Sequence, residues 1–243
     1  MAQYTTEAIV LSVKNWGEAD KMLQFFSRAR GRVKAAAFGC RRPKSPLAGG
    51  MQLFNHLDLT LQEGDRIDTV RQCTLLGRFR QLSEDLAAMA YGSFVAELAL
   101  ELAPEGQPQP ESFDRLLLIF AAFERHNPRL VALAAGYQLL ELAGFQLHYE
   151  HCAHCGQPIE GDAWFDAAEG GAYCTRCRPT AAEPYAASLR EFIVQLVKLD
   201  WAQPPQFSAK KAALLAAESL LLTYLRSLFG HDLKSLRFIR QLG

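Results

Sequence analysis

The spacing of hydrophobic and polar positions changes once along this chain, close to residue 80. Before that point the period is two. Leu57, Leu59 and Leu61 alternate with Asp58, Thr60 and Gln62, the pattern of a strand with one buried face. Thr5 to Val13, Lys21 to Arg28, Arg32 to Phe38 and Ile67 to Leu76 read as further strands, with turns at Arg30-Gly31 and Gly64-Asp65. Five short strands with glycine-rich turns predict a small barrel or sandwich, and five-stranded Greek-key barrels of about this size are of the OB-fold type, commonly used on oligonucleotides. After Phe79 the period becomes helical. Ser83 predicts a helix start, with Glu84 and Asp85 in the first turn and an end near Leu102. Further helices are expected over Phe113 to Arg125 and Arg129 to Leu142, the latter stopped by Gly144. Ser188-Leu189-Arg190-Glu191 has the form of a capping box and predicts a helix to about Leu199. Pro204-Pro205 breaks the chain, and Ser208 opens a last helix with Leu221, Leu225 and Leu228 on one stripe. The expected fold class is α+β. A five-stranded OB barrel spans 1–80, an all-α domain spans 81–147 and 179–243, and a cysteine-bearing module at 148–178 is inserted into the latter.

Composition narrows the class. The 243 residues are 49% hydrophobic and 21% charged, enough apolar content for a core without disulfides and too much for a disordered chain. Leu116 to Phe123, the longest uninterrupted apolar run, is far shorter than the roughly 20 residues of a membrane span. Met1-Ala2-Gln3 lacks a basic leader, so a cytoplasmic location is expected. The zero net charge hides an asymmetry. Residues 1–80 carry 13 Lys/Arg against 7 Asp/Glu, and residues 81–243 carry 13 against 19.

The cysteines supply the first chemical signal. Cys152, Cys155, Cys174 and Cys177 follow the spacing C-x2-C-x18-C-x2-C, which in a reducing compartment reads as a four-thiolate zinc site. Four thiolates close a tetrahedron and leave no position for substrate, so one structural Zn2+ is expected, bracing a segment too short for its own core. His151 and His154 stand beside the first pair as alternative ligands. His148-Tyr149-Glu150 ahead of Cys174 also resembles the spacing of a zinc deaminase, but Tyr173 stands where that motif has proline and Cys152 and Cys155 would have no role.

The second signal is charge. From Lys21 to Leu57 there is no acid, and Lys21, Arg28, Arg30, Arg32, Lys34, Arg41, Arg42 and Lys44 all fall in that stretch. On a strand Arg32 and Lys34 share a face, and the Gly39 to Pro46 segment, expected to be an exposed, mobile loop, extends the patch. Clustered cations gain affinity for phosphates by releasing counterions. Phe25, Phe26, Phe38 and Phe54 are either base-stacking rings or barrel core. Cys40 in this basic surrounding is either a reactive thiol or an inert one. No GxGxxG, Walker loop, HExxH or GxSxG motif is present, so no nucleotide-hydrolysing or hydrolase chemistry is indicated. Three readings stand on these residues: a DNA-binding protein, an RNA-binding OB protein with a zinc module, and a scaffold whose basic face meets an acidic protein.

Glu7-Ala8-Ile9-Val10-Leu11, Gly17-Glu18-Ala19-Asp20-Lys21, Gly31-Arg32-Val33, Gly39-Cys40-Arg41-Arg42-Pro43-Lys44-Ser45 and Leu47-Ala48-Gly49-Gly50 with Phe54 resemble the bacterial recombination mediator family RecO. The later CxxCG, Gly170-Gly171 and second CxxC match the zinc-bearing members. The resemblance implies an amino-terminal OB-fold, a helical domain and a zinc module, and no bond-breaking catalysis. It implies binding of single- and double-stranded DNA, strand annealing, and recombinase loading onto strands coated by single-strand-binding protein. The implied partners are RecR and the acidic carboxy-terminal tail of that coating protein. Lys210, Lys211 and Arg226 are candidate rims for a groove that takes the tail. DNA contact carries over to Arg32, Lys34, Arg41, Arg42 and Lys44, and by extension to Lys21, Arg28 and Arg30.

Overall fold

The computed structural model describes residues 2–145, 147–203 and 210–241. The first five strands are β1 (Gln3–Trp16), β2 (Asp20–Ser27), β3 (Gly31–Ala37), β4 (His56–Gln62) and β5 (Asp68–Gly77). They close a barrel in the order β1-β2-β3-β5-β4, with β3 and β5 parallel and the other pairs antiparallel, which is the OB-fold arrangement. Alternation decides the interior. Leu57, Leu59 and Leu61 of β4 are buried, as are Leu23 and Phe25 of β2 and Val33 and Ala35 of β3.

The segment between β3 and β4 is better ordered than its composition suggests. It is a run of turns in which Arg42, Ser45 and Ala48 donate their backbone N–H groups to the carbonyls of Gly39, Arg42 and Ser45. Cys40, Leu47 and Met51 plug the barrel core. Asn55 Nδ2 donates to the Gly49 and Gly50 carbonyls, and Lys21 Nζ donates to the Met51 carbonyl at 2.7 Å. The expected mobile loop is therefore anchored, with only Arg41 to Lys44 and a few neighbours exposed.

The helices are α1 (Arg80–Glu84), α2 (Leu86–Leu102), α3 (Pro110–Ala122), α4 (Pro128–Leu142), α5 (Ala187–Val197), α6 (Lys211–Phe229) and α7 (Ser235–Arg240). Asp85, not Ser83, caps the long α2. Its extended backbone interrupts the expected single helix, and its carboxylate accepts from Ala88 N. Asn127 caps α4, with Pro128 in the first turn, where its missing N–H costs nothing. The expected Ser188 cap does not form. The helix starts after Ala186, because Ala187 N donates to Asp162 Oδ1 and Arg190 Nη1 to the Gly161 carbonyl, partners outside the local sequence. The Pro204-Pro205 break and the Ser208 start lie outside the described residues. By length and mean hydropathy (1.4) α6 alone qualifies as a membrane span among the described residues. Here Ala217, Leu220, Leu221 and Leu225 face the core, and its Glu218 is ion-paired with Arg129 of α4.

Between α4 and α5 lies a second sheet of β6 (His148–Cys152), β7 (Ala163–Asp166), β8 (Gly171–Tyr173) and β9 (Glu183–Tyr185), in the order β6-β8-β7-β9. The inserted sheet thus reaches Tyr185, and the residues after Arg178, expected as part of the helical domain, supply its edge strand.

Barrel and helices share one core. Ile9, Leu11, Phe26 and Phe54 leave the barrel to pack among Phe94, Phe113 and Phe120. Gly31, with φ of +61°, lets the β2–β3 turn approach the 104–107 loop; a Cβ there would lie 2.4 Å from the Gln107 carbonyl oxygen.

Candidate nucleic-acid interface and metal centre

Register assigns side chains to the two faces of the barrel wall. Across β1, β2 and β3 the outward rows are Ile9–Phe26–Arg32, then Ser12–Gln24–Lys34, then Lys14–Met22–Ala36. The first row lies under the helical domain, because Ile9 and Phe26 are buried in its core. The later rows run toward the β1–β2 hairpin tip. There Lys14, Trp16, Lys34 and Phe38 are exposed.

This division sorts the eight expected cations. Arg28 Nε donates to Glu7 Oε2 at 2.7 Å, its Nη2 donates to Asp114 Oδ1 at 2.5 Å, and its guanidinium lies over Phe113. Arg30 Nη1 donates to Glu63 Oε1 at 2.7 Å, over the ring of Tyr4. Arg32 donates to Glu105 Oε1 at 2.9 Å and to the Leu100 carbonyl at 3.1 Å. Lys21 is held by the Met51 carbonyl. Lys34, Arg42 and Lys44 are exposed and face no carboxylate within ion-pair distance among the described residues. Arg41 is exposed and bonded only to backbone, its Nη1 donating to the Gly17 carbonyl at 3.3 Å and its N–H to the Ala19 carbonyl. A stretch free of acids in sequence is thus not free of them in space. Glu7 reaches in from β1, Glu63 from the end of β4, and Glu105 and Asp114 from the helical domain. The open part of the patch is Lys34, Arg41, Arg42 and Lys44.

Two residues absent from the expected set join it. Lys14 lies on the same outward face as Lys34, displaced by one row, and has no carboxylate partner among the described residues. Trp16, 47% exposed, contacts Phe38, 52% exposed, with ring centroids 5.8 Å apart. Of the four phenylalanines considered for stacking, Phe25, Phe26 and Phe54 are buried and Phe38 alone is open to solvent. The strand alternation that places Lys14 and Trp16 outside is present in the sequence, but both precede the acid-free stretch and so fall outside its charge signal.

Cys40 is 2% exposed, and burial raises its thiol pKa even though Lys21 opposes the shift. Of the two readings of Cys40, a reactive or an inert thiol, the inert one fits this burial, because solvent exclusion outweighs the nearby positive charge.

The four cysteines of the two CxxC pairs converge. Their Sγ atoms all lie within 4.8 Å of one another, and Cys155 and Cys174 are 4.0 Å apart. A tetrahedral thiolate site with metal–sulfur bonds of about 2.3 Å needs sulfurs about 3.8 Å apart, so the donor set fits a metal ion. The sheet positions the sulfurs. Cys152 ends β6, and Gly156 N closes the first CxxC turn on the Cys152 carbonyl at 2.8 Å. Cys177 N closes the second on the Cys174 carbonyl at 3.0 Å, just after β8. Burial works against ionising Cys152, but backbone N–H groups of Cys155, Cys174 and His154 draw its pKa down to about 6. Hydrogen bonding from Cys174, with burial, pushes Cys177 up to about 12. His148, His151 and His154 are exposed and outside the cluster, so neither the deaminase ligand set nor a histidine substitution is formed. Cys152, Ile159, Phe165, Ala172 and Tyr185 are part of the helical domain's core, so the cysteine cluster sits on a sheet fused to that domain.

Comparison with known proteins agrees with this architecture. The barrel, residues 1–79, matches the family model "Recombination protein O N terminal", and residues 83–237 match "Recombination protein O C terminal". Similar proteins include the DNA repair protein RecO of Pelotomaculum thermopropionicum, 32% identical over 100% of this chain and 96% of the relative. The protein of the same name from Nocardioides sp. is 35% identical over 98% of this chain and 99% of its own. That from Desulforudis audaxviator is 36% identical over 83% and 81%. Two family models that divide at the boundary between barrel and helices, with relatives aligned along the whole chain, establish that this chain belongs to the RecO recombination-protein family.

Proposed function

We propose that this protein is a recombination mediator in DNA repair, one that binds single- and double-stranded DNA, promotes annealing and assists recombinase loading without breaking covalent bonds. The family assignment supports the DNA-repair role. The observation that carries the mechanism is the open strip of Lys34, Arg41, Arg42 and Lys44 at the exposed end of an OB barrel. Strands β2 and β3 are the face on which OB-folds receive oligonucleotides. A cationic surface lowers the repulsion between two phosphodiester chains and holds both close enough to pair, with no general acid or nucleophile needed.

The four cysteines would hold one Zn2+. A zinc ion with four thiolates supplies cross-linking and not Lewis-acid chemistry, since no coordination position stays open. RecR and the acidic tail of single-strand-binding protein are the partners this reading requires, in the cytoplasm. Of the candidate rims, Lys210 borders a groove of about 550 Å3 between α5 and α6, alongside Leu189, Phe192 and Ala213. Arg226 is 3.6 Å from Asp232 and does not line it.

The test is annealing of complementary oligonucleotides, bare and coated by single-strand-binding protein, with the Arg41→Ala/Arg42→Ala/Lys44→Ala variant alongside. The reading expects annealing in both cases and its loss in the variant. A variant as active as the wild type removes this loop from the site. Competition with a matched RNA separates the RNA-binding alternative, because the 2′-hydroxyl alone distinguishes the two strands.

A further inference from the structure

Trp16 and Phe38 have an unusual setting. Among the described residues, theirs is the aromatic contact in which both rings are largely solvent-exposed, at 47% and 52%. Trp16 is the last residue of β1 and Phe38 follows β3, so the rings meet on the outward face at the hairpin tip. Gly17, with φ of +59°, makes the turn that leaves this tip uncovered. Single exposed apolar residues are common and need no explanation. A touching pair of rings flanked by unpaired cations does.

The cations lie on both sides of the rings. Lys14 and Lys34 stand on the same outward face, back along the strands. On the other side, Arg41 Nη1 reaches the carbonyl of Gly17, next to Trp16. The Cδ and Nε of Arg42 pass within 3.8 Å of where a Cβ on Gly39, next to Phe38, would lie. Of the two carboxylates at the tip, Asp20 is occupied in accepting from Gly39 N at 2.6 Å, and Glu18 is exposed in the turn. Flat apolar faces between cations suit a ligand that is anionic along its length and aromatic at intervals. A protein partner would call for a broader apolar patch.

We infer that Trp16 and Phe38 form a stacking platform for an unpaired base of single-stranded DNA, with Lys14 and Lys34 on one side and Arg41 and Arg42 on the other holding the adjoining phosphates. The centroids are 5.8 Å apart and the planes inclined at 46°, too close for a base to enter between them, so the base lies against an outer ring face. This rests on the reading that the strip binds DNA and adds to it a discrimination. A base inside a duplex offers no free face, so the platform favours single strands, whereas the cations serve both forms.

Three ligands test this: a single-stranded oligonucleotide, the same strand with abasic sites, and a duplex. Trp16→Ala/Phe38→Ala is compared with the wild type, with Trp16→Phe and with Arg41→Ala/Arg42→Ala/Lys44→Ala. The double aromatic variant is expected to lose about tenfold or more in affinity for the intact single strand, given the usual value of one base–aromatic stack. It should keep its duplex affinity and its salt dependence, and Trp16→Phe, which keeps a ring on the platform, should lose less single-strand affinity than the double variant. On the abasic strand, wild type and double variant should bind alike. Addition of single strand should quench tryptophan emission in the wild type, with the quench absent from Trp16→Phe, which retains Trp164 and Trp201. Unchanged single-strand affinity in the double variant, equal losses on single strand and duplex, or no quench overturns the platform. Failure of the DNA-binding reading is a different result, a wild type that binds neither the single strand nor the duplex.

Discussion

At the level of single residues, burial separates side chains that hold the fold from those free to bind. Gln138, 3% exposed, illustrates the first kind. Its Nε2 donates to the carbonyls of Leu196, Val197 and Leu199 at the end of α5, and its Oε1 accepts from Trp201 Nε1 at 2.8 Å. Gln138→Leu removes these bonds while nearly keeping the volume, and each polar group left stranded in the interior costs about 1–3 kcal/mol. A loss of about 2–4 kcal/mol in denaturant unfolding is expected from these values, and an unchanged midpoint would show that those groups find water. Cys40 provides a second case. Its raised pKa and burial predict that a thiol reagent at neutral pH labels the folded protein there slowly, and that unfolding exposes it. Rapid labelling of Cys40 in the native state would contradict the structure of the 39–55 segment.

At the level of elements, hydrophobic period makes the fold legible in the sequence and long-range partners limit it. The first four barrel strands are legible because each has one face inside, β5 is recognised from its β-branched and apolar run although only Val70 of it is buried, and the expected bounds of all five fall within a few residues of those found. The strands of the inserted sheet are not. Three of its four strands span only three or four residues, too short to display a period. The start of α5 differs from expectation because the Ala187 N–H and the Arg190 guanidinium are satisfied by Asp162 and Gly161 of that module. The cysteine cluster is legible from spacing, since each CxxC turn brings its own two sulfurs together, while the pairing of β6 with β8 brings the two turns to one place. Within this element, chelation or Cys152→Ser is expected to lower the melting temperature. A loss of about 3 kcal/mol corresponds to roughly 6–12 °C in a chain of this length. Affinity for DNA should fall far less, because the open cations lie on the barrel. Selective loss of DNA binding with an unchanged melting temperature would give the cluster a different role.

At the level of the whole molecule, fusion of barrel and helices through one core determines which cations remain available. The helical domain covers the Ile9–Phe26–Arg32 end of the outward face and supplies the carboxylates that neutralise Arg28 and Arg32. Charge counted along the sequence overstates the site for that reason, and only the tip end stays free. The same burial has a consequence for pH. Tyr4, Tyr91, Tyr137, Tyr149, Tyr173, Tyr185 and Tyr224 all have raised pKa values, with burial as the leading cause. Cys40 and Cys73 are raised by burial too. A folded-state pKa above the unfolded one means that the unfolded chain loses its proton first. Stability is then complete below the ordinary thiol and phenol range and falls as pH rises through roughly 9 to 11. A midpoint of unfolding that stays level across that interval would contradict the burial of these phenols.

The most direct test is the dependence of single-strand affinity on salt. For the wild type, the logarithm of the binding constant should fall linearly with the logarithm of salt concentration, with a slope of about 0.7 per phosphate neutralised. The Arg41→Ala/Arg42→Ala/Lys44→Ala variant should show a shallower line, by up to about 0.7 for each phosphate no longer neutralised, while Arg28→Ala and Arg30→Ala, whose guanidinium groups are bound to carboxylates, should leave the slope near that of the wild type. Parallel lines for the wild type and the triple variant would contradict the account.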